Sequence, residues 1–214
     1  MNVSLLHAVT EEFAAYLSEV TDADFERPTP CTGWTVGDLC HHVVEENAKF
    51  GHAVSGLRVP FAATAESLQA DDQAPPRLSG REVEAVYRAS ARYMEDAFAR
   101  VDDPEQPRQV AGVPGERRVA DLYEMQLTDT LIHTWDLTRS VELDYTHQPE
   151  VAELVLNRMR SVPDSARGEG RPFRAARTVP DAAELTTLDR IVLLSGRDIA
   201  WRPGPRQPDR SVDD

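Results

Sequence analysis

Lysine is almost missing from this chain. Lys49 is the only one among 214 residues, and arginine supplies the rest of the 23 basic side chains. Against them stand 37 acids, for a net charge of −14. That balance argues against a nucleic-acid partner, because phosphate binding needs clustered Lys and Arg. Cysteine is scarce as well. Cys31 and Cys40 lie nine positions apart, without the paired spacing of a zinc knuckle or a redox motif. They are expected to be reduced thiols in a cytoplasmic protein. No apolar run approaches the ~18 residues of a membrane span, so no membrane partner is expected. The start, Met-Asn-Val-Ser-Leu-Leu-His, has no basic region, and Glu11 and Glu12 interrupt any apolar stretch. It does not read as a signal peptide.

What the chain does have is helical periodicity. Leu5, Val9, Phe13 and Leu17 fall at i,i+4 steps, which predicts an amphipathic helix. Thr21 to Gly33 reads as a loop. Thr35-x-x-Asp38 reads as a capping box, opening a helix whose apolar face is Val36, Leu39, Cys40, Val43, Val44 and Phe50. Gly56 to Ser79 is a connection long enough to be a functional loop or lid. Ser79-x-x-Glu82 is a second capping box, followed by Val83, Val86, Tyr87, Met94, Phe98 and Val101 at helical spacing. Prolines and glycines break the pattern from Asp102 to Gly115. A fourth helix is predicted from Val119 to Ser140. Pro149 suits the first turn of a fifth, with Val151, Leu154, Val155 and Met159 as its buried side. Ser161 to Asp181 is irregular. A last short helix from Thr187 to Ser195 ends at Gly196, a suitable left-handed stop. The pattern predicts an all-α bundle, and a chain of this size can bury roughly 70% of its unfolded surface without a metal or disulfide to staple it.

The fourth helix carries the most informative pattern. Asp129 and His133 are four apart, so on a helix their Cβ atoms lie about 5–6 Å from each other on one face. At ~100° per residue, Glu124, Thr128 and Arg139 form one polar stripe, assigned to solvent. Gln126, Asp129, His133 and Asp136 form a second. A surface helix of a bundle needs only one polar face, so the second stripe predicts an interior polar site. A carboxylate and an imidazole so placed can share one metal ion with a third ligand from another helix. His42 is the candidate, although periodicity does not decide between His41 and His42. Two ligands on one helix and one on another leave coordination positions open, as catalysis needs.

Three segments together resemble a known family. Pro30-Cys-Thr-Gly-Trp-Thr-Val-Gly-Asp-Leu-Cys-His-His42 is similar to the signature Pro-Cys-x-Gly-Trp-Thr-Val-x-Asp-Leu-x-x-His. Asp129-x-x-x-His133-x-Trp135-Asp136-Leu137 resembles its partner Glu-x-x-x-His-x-Trp-Asp-Leu. Leu188 to Trp201 resembles the family's carboxyl-terminal segment. The family is that of the DinB-like metal-binding proteins related to the amino-terminal domain of mycothiol-dependent maleylpyruvate isomerase. The resemblance implies a DinB-like four-helix bundle over residues 1–160. An extension over 161–201 would pack on it, and 202–214 would form a disordered tail. It implies a divalent metal, zinc first and nickel second, held by His42, Asp129 and His133, with no other catalytic side chain. Asp129 stands where the family usually has Glu, one methylene longer, and many relatives use three histidines.

Around those ligands, Asp136 is expected either to orient a ligand histidine or to make a helix–helix hydrogen bond. Trp34 and Trp135 are read as packing residues, Trp34 anchoring its loop beside the ligands. Cys31 is read as a buried loop thiol, and His7, His52 and His147 as surface residues without partners. The resemblance points to an enzyme that uses its metal to activate a small thiol such as mycothiol, for S-transfer to an electrophile or its isomerisation. The composition fits the GC-rich genome of a mycothiol-making actinobacterium. Two other readings stay open: a biosynthetic enzyme using the same site for cyclisation or hydrolysis, and a non-catalytic metal-binding stress or sensor protein. The expected partner is a small-molecule substrate, and the chain is a monomer or homodimer.

Overall fold

A computed structural model of the chain describes residues 1–56, 80–178 and 184–204. Among these the helices are α1 (Val3–Leu17), α2 (Val36–Ser55), α3 (Gly80–Ala99), α4 (Val119–Val141), α5 (Pro149–Ser161) and α6 (Thr187–Leu194). A two-residue hairpin, β1 (Pro107–Arg108) against β2 (Arg117–Arg118), sits in the 102–115 break and its flank. The fold is therefore all-α. The long connection at 57–79, Ser79 of the second capping box, residues 179–181 of the irregular segment and positions 205–214 of the tail lie outside the described residues.

Helices α1 to α4 form the bundle, with α3 packed on α1 and α2, and α4 on α1 and α2. Helix α5 leans on α4, and α6 on α5. One core cluster takes Leu6 from α1, Phe50 from α2, Met94 from α3, Leu122 from α4, Val155 from α5 and Ile191 from α6. A second joins Phe13, Val43, Tyr87 and Leu137. The extension thus closes over the same interior as the bundle.

Local chemistry explains where elements begin and end. The capping box at α2 forms as expected: Thr35 Oγ1 accepts from the Asp38 amide at 3.2 Å, and Asp38 Oδ2 accepts from the Thr35 amide at 2.8 Å. Helix α2 then approaches α3 to backbone contact at Gly51. A Cβ there would stand 2.7 Å from the Tyr93 ring and 3.0 Å from the Met94 Cα. Gly51→Val should therefore cost about 1–3 kcal/mol through overpacking, seen as a lower urea midpoint. An unchanged midpoint would mean that the helices do not meet there.

Two faces differ from expectation. Thr128 is buried, not solvent-facing. Helix α4 is enclosed on most sides, and Thr128, Thr130, Thr134 and Ser140 each donate their hydroxyl to the carbonyl four residues back. A hydroxyl satisfied by its own helix can be buried cheaply. Leu154 is 42% exposed. The buried side of α5 runs through Ala152, Val155 and Met159, and Leu154 lies about 100–160° round the helix from these residues at ~100° per residue.

Candidate metal centre

The site is built from the loop before α2, the first turns of α2 and the middle of α4. The loop is a turn, Cys31-Thr32-Gly33-Trp34, closed by the Trp34 amide donating to the Cys31 carbonyl at 3.0 Å. Gly33 has φ +82°, which explains the glycine of this motif, since few other residues take that conformation. Arg27 holds the loop to the end of α4 through Glu142 at 2.7 Å. The turn presents Trp34 to both histidines. Its ring centroid is 4.8 Å from that of His42 and 6.0 Å from that of His133, stacked on the latter at 21°. The indole thus lies against the pair of imidazoles.

The three sequence candidates come together. His42 Nε2 lies 3.7 Å from Asp129 Oδ1, and His133 Nε2 lies 3.4 Å from the same oxygen. All three donor atoms fall within 4.8 Å of one another. Ligands bound at ~2.0–2.1 Å in a tetrahedron stand about 3.3–3.4 Å apart, close to this spacing. The second oxygen, Asp129 Oδ2, is buried with no hydrogen-bond partner. Two imidazole nitrogens and a carboxylate suit zinc or nickel, so the residues present fit a divalent ion. His41 does not take part: its Nδ1 is 3.5 Å from Glu45 on the outer face of α2.

Electrostatics agree with the geometry. Burial works against the charge on Asp129, but the neighbouring imidazoles, His133 foremost, outweigh it and hold the carboxyl well below its usual range. Burial likewise opposes a proton on His133, yet Asp129 and then Asp136 raise its affinity well above the ordinary value. A positive charge is wanted at this point. The side chains of His42 and Asp129 are 26% and 30% exposed, against 8% for His133. Approach is therefore from the His42–Asp129 side.

Behind His133 lies a second cluster that sequence reasoning did not assemble. His133 Nδ1 is 2.9 Å from Asp136 Oδ2. An ionised carboxylate can only accept, so Nδ1 carries a proton, and Nε2, facing Asp129, is the nitrogen whose proton an arriving cation would displace. Asp136 thus contacts the ring on the side away from Asp129. Burial alone would raise its pKa, but Arg197 and His133 lower it to about 2. Arg197 grips it with Nε on Oδ1 at 2.7 Å and Nη2 on Oδ2 at 2.6 Å. Cys31 Sγ sits 3.3 Å from Asp136 Oδ2 and 3.2 Å from Arg197 Nη2. Cys31, His133 and Asp136 also have metal-like spacing, but the guanidinium already supplies the cation there. Cys31 is only partly buried, where a buried loop thiol was expected, and it takes part in this network. Its contacts span 105 and 166 positions, beyond the reach of any spacing rule.

Other expectations resolve simply. Trp135 is buried as a packing residue, with Arg139 over its ring at 5.4 Å. His52 is exposed. His7 is not unpartnered: its Nδ1 pairs with Glu95 at 2.9 Å. His147 is half-buried, its ring 6.0 Å from that of Tyr145. No helix among the described residues is long and apolar enough to cross a membrane.

Comparison with known proteins adds three findings. Residues 6–138 match the family described as the mycothiol maleylpyruvate isomerase N-terminal domain. Two curated Mycobacterium tuberculosis proteins, uncharacterized proteins MT0763 of strain CDC 1551 / Oshkosh and Rv0738 of strain H37Rv, are each 29% identical over 191 residues. These cover 88% of this chain and 93% of theirs. Crystal structures of the mycothiol-dependent maleylpyruvate isomerase and of a histidine-to-alanine mutant share the fold, with TM-scores of 0.52 and 0.53 at 18% identity. Each alignment covers 73% of this chain and 67% of the other.

Proposed function

The chain belongs to the mycothiol maleylpyruvate isomerase N-terminal domain family, and we propose that it is a metal-dependent enzyme acting with a low-molecular-weight thiol. Mycothiol, or a thiol of its kind, would be the cosubstrate, and an electrophilic small molecule the substrate. The outcome would be S-transfer, or isomerisation when the thiol leaves again. The observation that carries this reading is the convergence of the His42 and His133 Nε2 atoms on Asp129 Oδ1, beside the unpartnered Oδ2 and with the His42 and Asp129 side chains partly exposed. A divalent ion held there would lower the pKa of a bound thiol and so supply a nucleophile at neutral pH. Mycothiol comes from the names of the family and of the solved enzyme.

The chain's own residues have supporting tasks. Asp136 would hold a proton on His133 Nδ1, so that Nε2 is the nitrogen turned toward an incoming ion. Trp34 walls the imidazoles and narrows the approach. No protein nucleophile is needed. Burial pushes the Cys40 thiol up to about 12, and Cys31 is engaged by Arg197 and Asp136.

Cobalt-substituted protein tests the reading. Titration with mycothiol, then with other small thiols, should add a near-ultraviolet charge-transfer band. Thiol binding should release a proton, so its affinity should climb with pH until the bound thiol is fully ionised. If no thiol produces the band in protein that demonstrably holds cobalt, thiol activation is rejected. The cyclisation, hydrolysis and non-catalytic readings then lead.

A further inference from the structure

Arg197 lies outside the family-matched segment 6–138, yet it reaches the back of the candidate metal centre. Its route is set by the turn that ends α6. The Gly196 amide donates to the Leu193 carbonyl at 3.0 Å and the Arg197 amide to the Val192 carbonyl at 3.1 Å. This is the Schellman pattern, with Gly196 at φ +86° in the left-handed position. Space enforces the glycine too, because a Cβ there would stand 2.6 Å from Arg174 Cβ and 2.9 Å from the Ala175 carbonyl oxygen. The side chain that leaves this turn is nearly buried, against a fully buried Asp136.

An arginine fork on both carboxylate oxygens fixes the plane of the carboxylate as well as its position. That plane aims Oδ2 at His133 Nδ1. The ring of His133 is then held in one orientation, with Nε2 facing Asp129. A lone carboxylate on a helix can turn about its side-chain bonds, and the imidazole would turn with it. The third contact of Arg197, with Cys31 Sγ, ties the loop bearing Trp34 to the same anchor.

We propose that Arg197 is a positioning residue for the metal ligand His133, delivered to the site by the C-terminal segment and acting through Asp136. This rests on the metal reading above. The centre is thereby a joint product of the bundle and the extension. Loss of a supporting group of this kind typically lowers metal affinity about 10–100-fold.

The test uses full-length protein, zinc and cobalt. Zinc affinity is measured by competition with a chromophoric chelator for wild type, Arg197→Gln, Arg197→Lys and His42→Ala. The cobalt form supplies visible ligand-field bands that report ligand geometry. Arg197→Gln should bind zinc about 10–100-fold more weakly and show altered cobalt bands. Arg197→Lys keeps the charge but cannot grip both oxygens, so its affinity should fall between the two. Should Arg197→Gln fail to fold, Arg197→Lys carries the comparison. A purely structural arginine predicts wild-type affinity and wild-type bands in every variant that folds, and that result overturns the proposal. The failures are distinguishable. If wild type binds no ion, the metal reading falls. If wild type binds, His42→Ala does not, and the Arg197 variants match wild type, the positioning role alone falls.

Discussion

Replacing His42 with alanine should strip the protein of its divalent ion, while replacing the adjacent His41 should leave it loaded. The two histidines differ by about 100° on α2, and that rotation decides their roles. His42 turns its Nε2 toward Asp129, and its ring centroid is 4.8 Å from that of His133. His41 turns toward Glu45. Removing one of three ligands should cost more than the ~10–100-fold that follows loss of a supporting hydrogen bond. Purified wild type should therefore carry about one ion per chain, and His42→Ala close to none, by elemental analysis. Helical circular dichroism should match in both, since a chain of this size buries enough surface to fold without a metal staple. Equal metal in wild type and His42→Ala would sink the ligand assignment. Loss of helix on chelation would make the centre a structural one.

Asp136→Ala should be among the most destabilising substitutions in the molecule. The carboxylate is fully buried and neutralises a nearly buried arginine while accepting from His133. Breaking such a pair leaves a charge in the interior and costs about 3–5 kcal/mol. Urea unfolding of the metal-free protein measures it. The double variant Asp136→Ala/Arg197→Met should recover part of the loss, because the orphaned charge is gone. A single variant within about 1 kcal/mol of wild type would mean that the pair contributes no more than an exposed one.

Much of this was legible in the sequence because it is local. The capping box at Thr35, the helical faces apart from Thr128 and Leu154, and the stop at Gly196 rest on spacings of two to four residues, and they are present. The interior stripe of α4 was readable for the same reason: Gln126, His133 and Asp136 are buried. Periodicity did not choose His42, because both histidines flank the apolar face; the family signature pointed to it, and the position of Asp129 on another helix separates the two. Thr128 misled because a threonine that satisfies its own hydroxyl has the same letter as one that meets water. Arg197 escaped altogether. Its partner is 61 positions away, and an arginine in an arginine-rich chain carries no signal until the fold shows what it touches.

The way the imidazoles are held has a kinetic meaning. His133 is fixed through Nδ1 and covered by Trp34, and His42 lies under the same indole. On the proposed metal reading the ligands are already held together, and loading would be limited by how fast the arriving ion sheds its own water. Cobalt and zinc, which exchange water quickly, should enter ahead of nickel, which exchanges it slowly, whatever their final affinities. Brief exposure to mixed metals would therefore fill the centre by lability, and long exposure by strength of binding.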